Sequence, residues 1–279
     1  MNALSREESG RLRPSAVGGN RGAGFELRME RLFSHADGRS LILGVDHPLF
    51  EGHVSGLENI PLLLSTLPEN ALDGLLVSPA TMQAVSSMKR LAKCHAMRLD
   101  TTGAFRQHGG SDIEATLVVS ADDIARSGAD VVACFFLVNA AGHRRVADHR
   151  SHLAQIAAMC RRIGYPVMVE ALAVDDDGNT VRETSQILHA ARLAAELGAD
   201  LLKIDAPRDI ADLGDVVGAV DRPVFIRGGT PKDKVTDTLR DVEAYVARGA
   251  TGLVIGRSIF QAAQPAELLK SLHRVVHGG

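Results

Sequence analysis

Gly198-Ala199-Asp200-Leu201-Leu202-Lys203-Ile204-Asp205 is the stretch on which the reading of this chain turns. Before it, residues 183–197 carry Ile187, Leu188, Ala191, Ala194 and Ala195, a spacing that predicts an amphipathic helix. Gly198 suits the left-handed position that closes a helix, and a short turn follows. Leu201 to Ile204 is then a continuous apolar run, broken only by one lysine. Strands that read this way are buried on both faces, and such strands belong to parallel sheets. The same joint recurs at Gly128-Ala129-Asp130 and at Gly249-Ala250-Thr251. Three copies of one helix–turn–strand joint indicate repeated βα units.

Working outward, eight short apolar runs appear: 41–45, 74–77, 96–99, 131–137, 167–172, 201–204, 224–226 and 253–255. Helical patterns separate them, at 150–163, 183–197 and 234–247, and a last one runs over 265–276. Eight strands with helices between them predict an α/β fold, a single (β/α)8 TIM barrel over residues 25–279. The competing arrangement, an open doubly wound sheet, usually carries a glycine-rich phosphate loop after its first strand. Here the first run ends in Val45-Asp46-His47-Pro48, without those glycines. Residues 1–24 are rich in Arg, Gly and Ser and lack an apolar core, which predicts a flexible N-terminal arm and no secretory signal.

With 45% hydrophobic residues among 279, the chain is able to bury a sizeable core. A net charge of -3, two tyrosines and no tryptophan argue against a nucleic-acid partner, which calls for a basic face and stacking platforms. No apolar run reaches the ~18 residues of a membrane span. Cys94, Cys134 and Cys160 are widely spaced, with no CxxC, and read as reduced thiols of a cytoplasmic protein.

In such barrels chemistry sits at the C-terminal ends of the strands. Lys203 lies inside its strand, whereas the other five lysines fall in helices or loops. Desolvation there lowers an amine's pKa, and a neutral amine attacks a carbonyl to give an imine. The competing reading is a structural lysine paired with a carboxylate. Glu170, inside the fifth strand, is the plausible partner and a second catalytic candidate. Asp46 and His47 follow the first strand, where a carboxylate moves protons or orients hydroxyls, although Asp-His-Pro also opens a turn for local reasons. Arg98 and Asp100 close the third strand and stand as substrate contacts. Arg227-Gly228-Gly229-Thr230 ends the seventh strand and Gly256-Arg257-Ser258 the eighth. Loops seven and eight are the common phosphate site of these barrels, where glycine lets backbone N–H groups approach an anion. Arg257 adds bidentate capacity. The cluster His143, His149, His152 lacks metal-ligand spacing and reads as solvated. No metal or cofactor is expected.

With these residues in place, the chain resembles the class I aldolases of the archaeal fructose-bisphosphate type. That family also holds an autoinducer-2 phosphate (3-hydroxy-5-phosphonooxypentane-2,4-dione) thiolase and aminodideoxyheptulosonate synthase. The resemblance runs from Arg28 to His277. It rests on residues 28–33, on Val45-Asp46-His47-Pro48-Leu49-Phe50-Glu51-Gly52, on 198–203, on Arg227-Gly228-Gly229, and on Gly252 through Gln261. Phe50 and Gly52 are most similar to the thiolase branch. The resemblance implies that Lys203 is the Schiff-base lysine and Asp46 the strand-one aspartate. It also implies that Gly228, Gly229, Gly256 and Arg257 form the phosphate site, and that the chain forms a homo-oligomer of eight or ten subunits. The bisphosphate aldolases carry a tyrosine near the end of the fourth strand, where this chain has Leu137; Pro48 replaces a usual glycine, and Asp100 and Arg227 are also departures.

The favoured expectation is a class I lyase or aldol-type transferase acting on a small phosphorylated ketone. Its alternatives are thiolase-type acyl transfer on a phosphorylated diketone, a non-catalytic phosphosugar-binding barrel, and a metal-dependent barrel lyase.

Overall fold

The computed structural model describes residues 21–85, 88, 91–104, 114–139, 145–229 and 231–278. Among the described residues there are ten strands: β1 (Ser40–Gly44), β2 (Gly74–Val77), β3 (Cys94–Arg98), β4 (Asp100–Thr102), β5 (Ala115–Leu117), β6 (Val131–Asn139), β7 (Val167–Val174), β8 (Leu201–Ile204), β9 (Val224–Arg227) and β10 (Gly252–Ile255). Eight of them close into a parallel ring in the order β1, β10, β9, β8, β7, β6, β3, β2. Closure is made by β1, which pairs with β2 on one side and β10 on the other. All eight apolar runs are barrel strands. The two remaining strands, β4 and β5, form a small antiparallel ribbon outside the ring. The apolar runs gave no sign of it, because β5 is half-exposed and its pattern is not that of a buried strand.

Helices alternate with the strands at Arg145–Ile163, Thr184–Leu197, Val235–Ala247 and Pro265–His277. Their apolar faces and the outward residues of the strands form one large core. The inward residues form a second core inside the ring, with Ile42, Leu76, Ala133, Met168, Leu201 and Phe225 among its members. Helix Ala23–Leu32 closes the N-terminal end of the ring by placing Phe25, Met29 and Leu32 against this inner core. Each fully buried side chain of this size contributes roughly 1.5–3 kcal/mol relative to an exposed one. The helix begins inside the stretch expected to be an arm, and Arg21 ahead of it pairs with Asp200 at 2.8 Å. Residues 1–20 of the expected arm lie outside the described residues.

The repeated joint has a physical rationale. Gly128, Gly198 and Gly249 all adopt positive φ, as the turn after each helix requires. The residue two places later then caps the neighbouring strand. Asp130 accepts from the His95 N–H (3.0 Å) and Asp200 from the Val167 N–H (3.0 Å). The Thr251 hydroxyl accepts from the Val224 N–H (3.2 Å), and Asp73 does the same for Leu41 (2.7 Å). Four strand starts on the lower rim are therefore tied to a neighbour by one side-chain oxygen each.

Replacing Thr251 by Val keeps its shape and removes the acceptor. The buried Val224 N–H is left unpaired, so the variant is expected to lose about 1–3 kcal/mol in urea unfolding, and Thr251→Ser to lose much less.

Candidate active site

Strand register sets the centre of the site. Glu170 on β7 pairs directly with Lys203 on β8 and with Phe135 on β6. All three side chains point into the ring. Lys203 Nζ donates to Glu170 Oε2 at 2.8 Å. Arg98, from the end of β3, donates to the same oxygen through Nη2 and to Asp46 Oδ2 through Nε at 2.8 Å. Arg227, from β9, approaches Glu170 Oε1 at 3.3 Å and also contacts Asp205 Oδ1 at 3.3 Å.

This arrangement decides the protonation states. Burial pushes the Lys203 amine down from its ordinary value of 10.5; Glu170 works the other way, and Arg98 and Arg227 reinforce the lowering. For Glu170, burial works to raise the pKa. The surrounding Lys203, Arg98 and Arg227 outweigh burial and hold the carboxyl well below the usual carboxylate range. Burial also pushes His47 down to about 4, helped by the cations Lys203 and Arg257, so its imidazole is neutral near pH 7.

The glycine motifs form the adjoining wall. A Cβ on Gly228 would come within 2.7 Å of Ile255 Cγ1 and 2.9 Å of its backbone. One on Gly256 would lie 2.6 Å from His47 Cε1 and 2.8 Å from the Gly44 carbonyl. Only glycine lets these chains approach so closely. The Gly228 N–H is taken by the Val254 carbonyl at 2.9 Å. Gly256 leads into the short helix Arg257–Phe260, whose first residue also lines the pocket. Among the described residues, the Arg257 side chain has no hydrogen-bond or ion-pair partner.

One pocket of about 420 Å³, counting its open mouth, brings together Asp46, His47, Glu170, Lys203, Arg227, Gly228, Gly229, Gly256 and Arg257. It opens into a wider vestibule through Arg227, Gly228, Gly229 and Arg257. Nine of the eleven expected site residues thus share one cavity. Thr230 lies outside the described residues.

Arg98 and Asp100 do not line this pocket. Arg98 is fully buried behind the pocket, its guanidinium 4.0 Å from the centre of the Phe135 ring and bonded to both carboxylates. It holds Asp46 and Glu170 in place and has no surface for a substrate. Asp100 is fully buried too. It accepts from the Phe135 N–H at 3.0 Å and faces His152 Nε2 at 3.1 Å. That contact also corrects the reading of the histidine cluster as solvated: His149 is buried and His152 is mostly so. His143 lies outside the described residues. Asp205, Phe50 and Phe135 were missed. Asp205 stands two residues beyond Lys203 and so on the same side of the chain, a period that marks it in hindsight.

The inner face of β6 carries Phe135 and then Leu137, both buried, so neither position offers a proton-transfer group. The three cysteines are buried and free, as expected. No described helix is long and apolar enough to cross a membrane.

Residues 42–262 match the DeoC/LacD family of aldolases. The chain belongs to that family. It is 30% identical to a 2-amino-3,7-dideoxy-D-threo-hept-6-ulosonate synthase of Halobacterium salinarum, over 91% of this chain and 92% of the relative. It is 28% identical to a 3-hydroxy-5-phosphonooxypentane-2,4-dione thiolase of Yersinia pseudotuberculosis, over 91% and 82% respectively. Among solved structures, an archaeal fructose 1,6-bisphosphate aldolase superposes with a TM-score of 0.79 at 22% identity, over 91% of this chain and all of that one. That likeness bears on the fold. A Schiff-base aldolase family on a TIM barrel is what the resemblance in the sequence implied.

Arg98→Met removes the cation that bridges Asp46 and Glu170. The expected cost is about 3–5 kcal/mol in chemical denaturation, much larger than for the exposed Arg240→Met.

Proposed function

We propose that this DeoC/LacD aldolase makes or breaks a carbon–carbon bond in a small phosphorylated ketone, through an imine on Lys203. The observation that carries the reading is a buried amine, lowered in pKa, in a cavity whose other wall is a pair of glycine loops and an unpaired arginine.

The neutral Lys203 amine attacks the ketone carbon. The carbinolamine loses water and leaves a protonated imine, whose positive charge faces the Glu170 carboxylate that Lys203 already touches. In the cleavage direction a base removes the proton of the hydroxyl beside the scissile bond. The bond breaks, its electron pair flows to the iminium nitrogen, and an enamine remains. Protonation of the enamine carbon and hydrolysis release the second product and free the lysine. Glu170, held so far down, serves better as counter-ion to the imine than as an acid. Asp46, oriented by Arg98, and neutral His47 are the groups placed to move protons. Arg257, Gly229 and Gly256 take the phosphate.

A second reading, acyl transfer on a phosphorylated diketone, draws on the apolar Phe135 and Leu137 positions of β6 and on the name of the thiolase relative. Assembly into a homo-oligomer and a cytoplasmic location complete the proposal, and light scattering after size exclusion checks the first of these.

Borohydride added with dihydroxyacetone phosphate is expected to leave a reduced adduct on the peptide containing Lys203. Lys203→Met should lose the adduct and at least about a thousandfold in kcat. Active enzyme that never forms an adduct with any accepted substrate would discard the imine.

Because the reacting form is the free amine, kcat/KM should rise with pH to an inflection below 10.5. Removing a nearby cation stabilises the ammonium, so Arg227→Gln should move that inflection upward. An inflection that stays put would show that Arg227 does not act on Lys203.

A further inference from the structure

At the opposite end of the barrel from the pocket, three imidazoles gather. His35 comes from the turn between the helix that closes the ring and β1, and His273 and His277 from the last helix. The last two are four residues apart and so stand on one helical face, the spacing at which two histidines reach a single ion. The rings of His35 and His277 stack at 3.9 Å, and those of His273 and His277 lie 4.5 Å apart. One ring nitrogen from each lies within 4.8 Å of the other two. Nitrogens around a tetrahedral Zn2+ at 2.0–2.1 Å stand about 3.4 Å apart, which ring rotations reach from here.

We propose that His35, His273 and His277 form a site for a divalent transition-metal ion, with Zn2+ as the simplest occupant. Nothing in the proposed carbon–carbon chemistry calls for it. Its role would be to fasten the turn below the ring to the C-terminal helix.

Five observations support the assignment. His273 Nε2 is buried and has no hydrogen-bond partner, a costly state for a ring nitrogen unless something is to be bound. His277 sits between two carboxylates and gives up its Nε2 proton on ligation, as an imidazole ligand must. Its Nδ1 faces Asp37 Oδ2 at 2.9 Å, the carboxylate–histidine pairing that orients a metal-bound imidazole. Its Nε2 faces Asp73 Oδ2 at 3.0 Å, and that oxygen also accepts from the Leu41 N–H. Turning Nε2 to an ion therefore leaves Asp73 bonded. Asp73 Oδ1 lies 3.9 Å from His35 Nε2 and is near enough to become a fourth ligand. The field also favours a cation, since Asp37, Asp73 and the C-terminal end of a 13-residue helix all face this point. The His35 side chain is 37% exposed, which leaves a way in.

An all-imidazole set with one carboxylate suits Zn2+, Co2+, Ni2+ or Cu2+ and not Mg2+ or Ca2+. The test uses the full chain stripped with chelator and dialysed against micromolar Zn2+. One Zn2+ per chain and a rise in melting temperature of about 5 °C are expected at saturating ion. Co2+ should give the visible absorption of a tetrahedral site. His273→Gln and His35→Gln should each lose the bound ion, the temperature shift and the Co2+ band. Neither side chain holds a backbone group, so both variants should fold, which circular dichroism checks. His189→Gln, on another helix, should keep all three signals. Native protein that takes up no Zn2+, or variants that bind it unchanged, would overturn the assignment. Either result leaves the imine reading untouched.

Discussion

The Glu170 carboxylate faces three cations at once. Oxygen Oε2 is shared between Arg98 and Lys203, and Oε1 faces Arg227. Two of those partners are guanidiniums, which do not give up their protons in a protein. The negative charge is thus satisfied whether or not the lysine carries a proton. A carboxylate alone would hold Lys203 as an ammonium, and desolvation alone would make Glu170 too costly to bury. Together the four groups permit a buried amine that is able to lose its charge. Arg98 extends the network to Asp46, so the two carboxylates of the pocket are positioned by one fully buried side chain.

The ring supplies the precision this network needs. Glu170 and Lys203 face each other because β7 and β8 are in register at that pair, and the register is fixed below by oxygen caps such as Asp200 on Val167. The plug of Phe25, Met29 and Leu32 fills the lower half of the ring, and the charged groups around Glu170 lie above it. Stability is concentrated at one end and chemistry at the other, the usual division in such barrels.

Much of this was legible in the sequence. Buried parallel strands announce themselves as unbroken apolar runs, and positive-φ glycines mark the turns before them, so the ring followed from runs such as 201–204 and joints such as Gly198-Ala199-Asp200. Lys203 and Glu170 stood out because each interrupts such a run. Arg98 and Asp100 also sit at a strand end, and strand position alone does not tell whether a side chain faces the pocket or lies behind it. The β4–β5 ribbon and the Asp100–His152 contact join residues far apart in sequence with no periodic pattern, and the same holds for His35 and the last helix. Leu137 was read as the departure from the bisphosphate aldolases, and its place inside the ring gives that departure a physical meaning.

The hydrogen bond from the Gly228 amide to the Val254 carbonyl has a less obvious consequence. It makes the proposed anion-binding loop a continuation of the sheet, with its shape dictated by how two neighbouring strands are aligned. Repacking of hydrophobic residues along β10 would then be felt as altered affinity for the substrate's charged end. Selection for a new phosphorylated metabolite would therefore have a route through greasy, interior positions that never touch the molecule they help to choose.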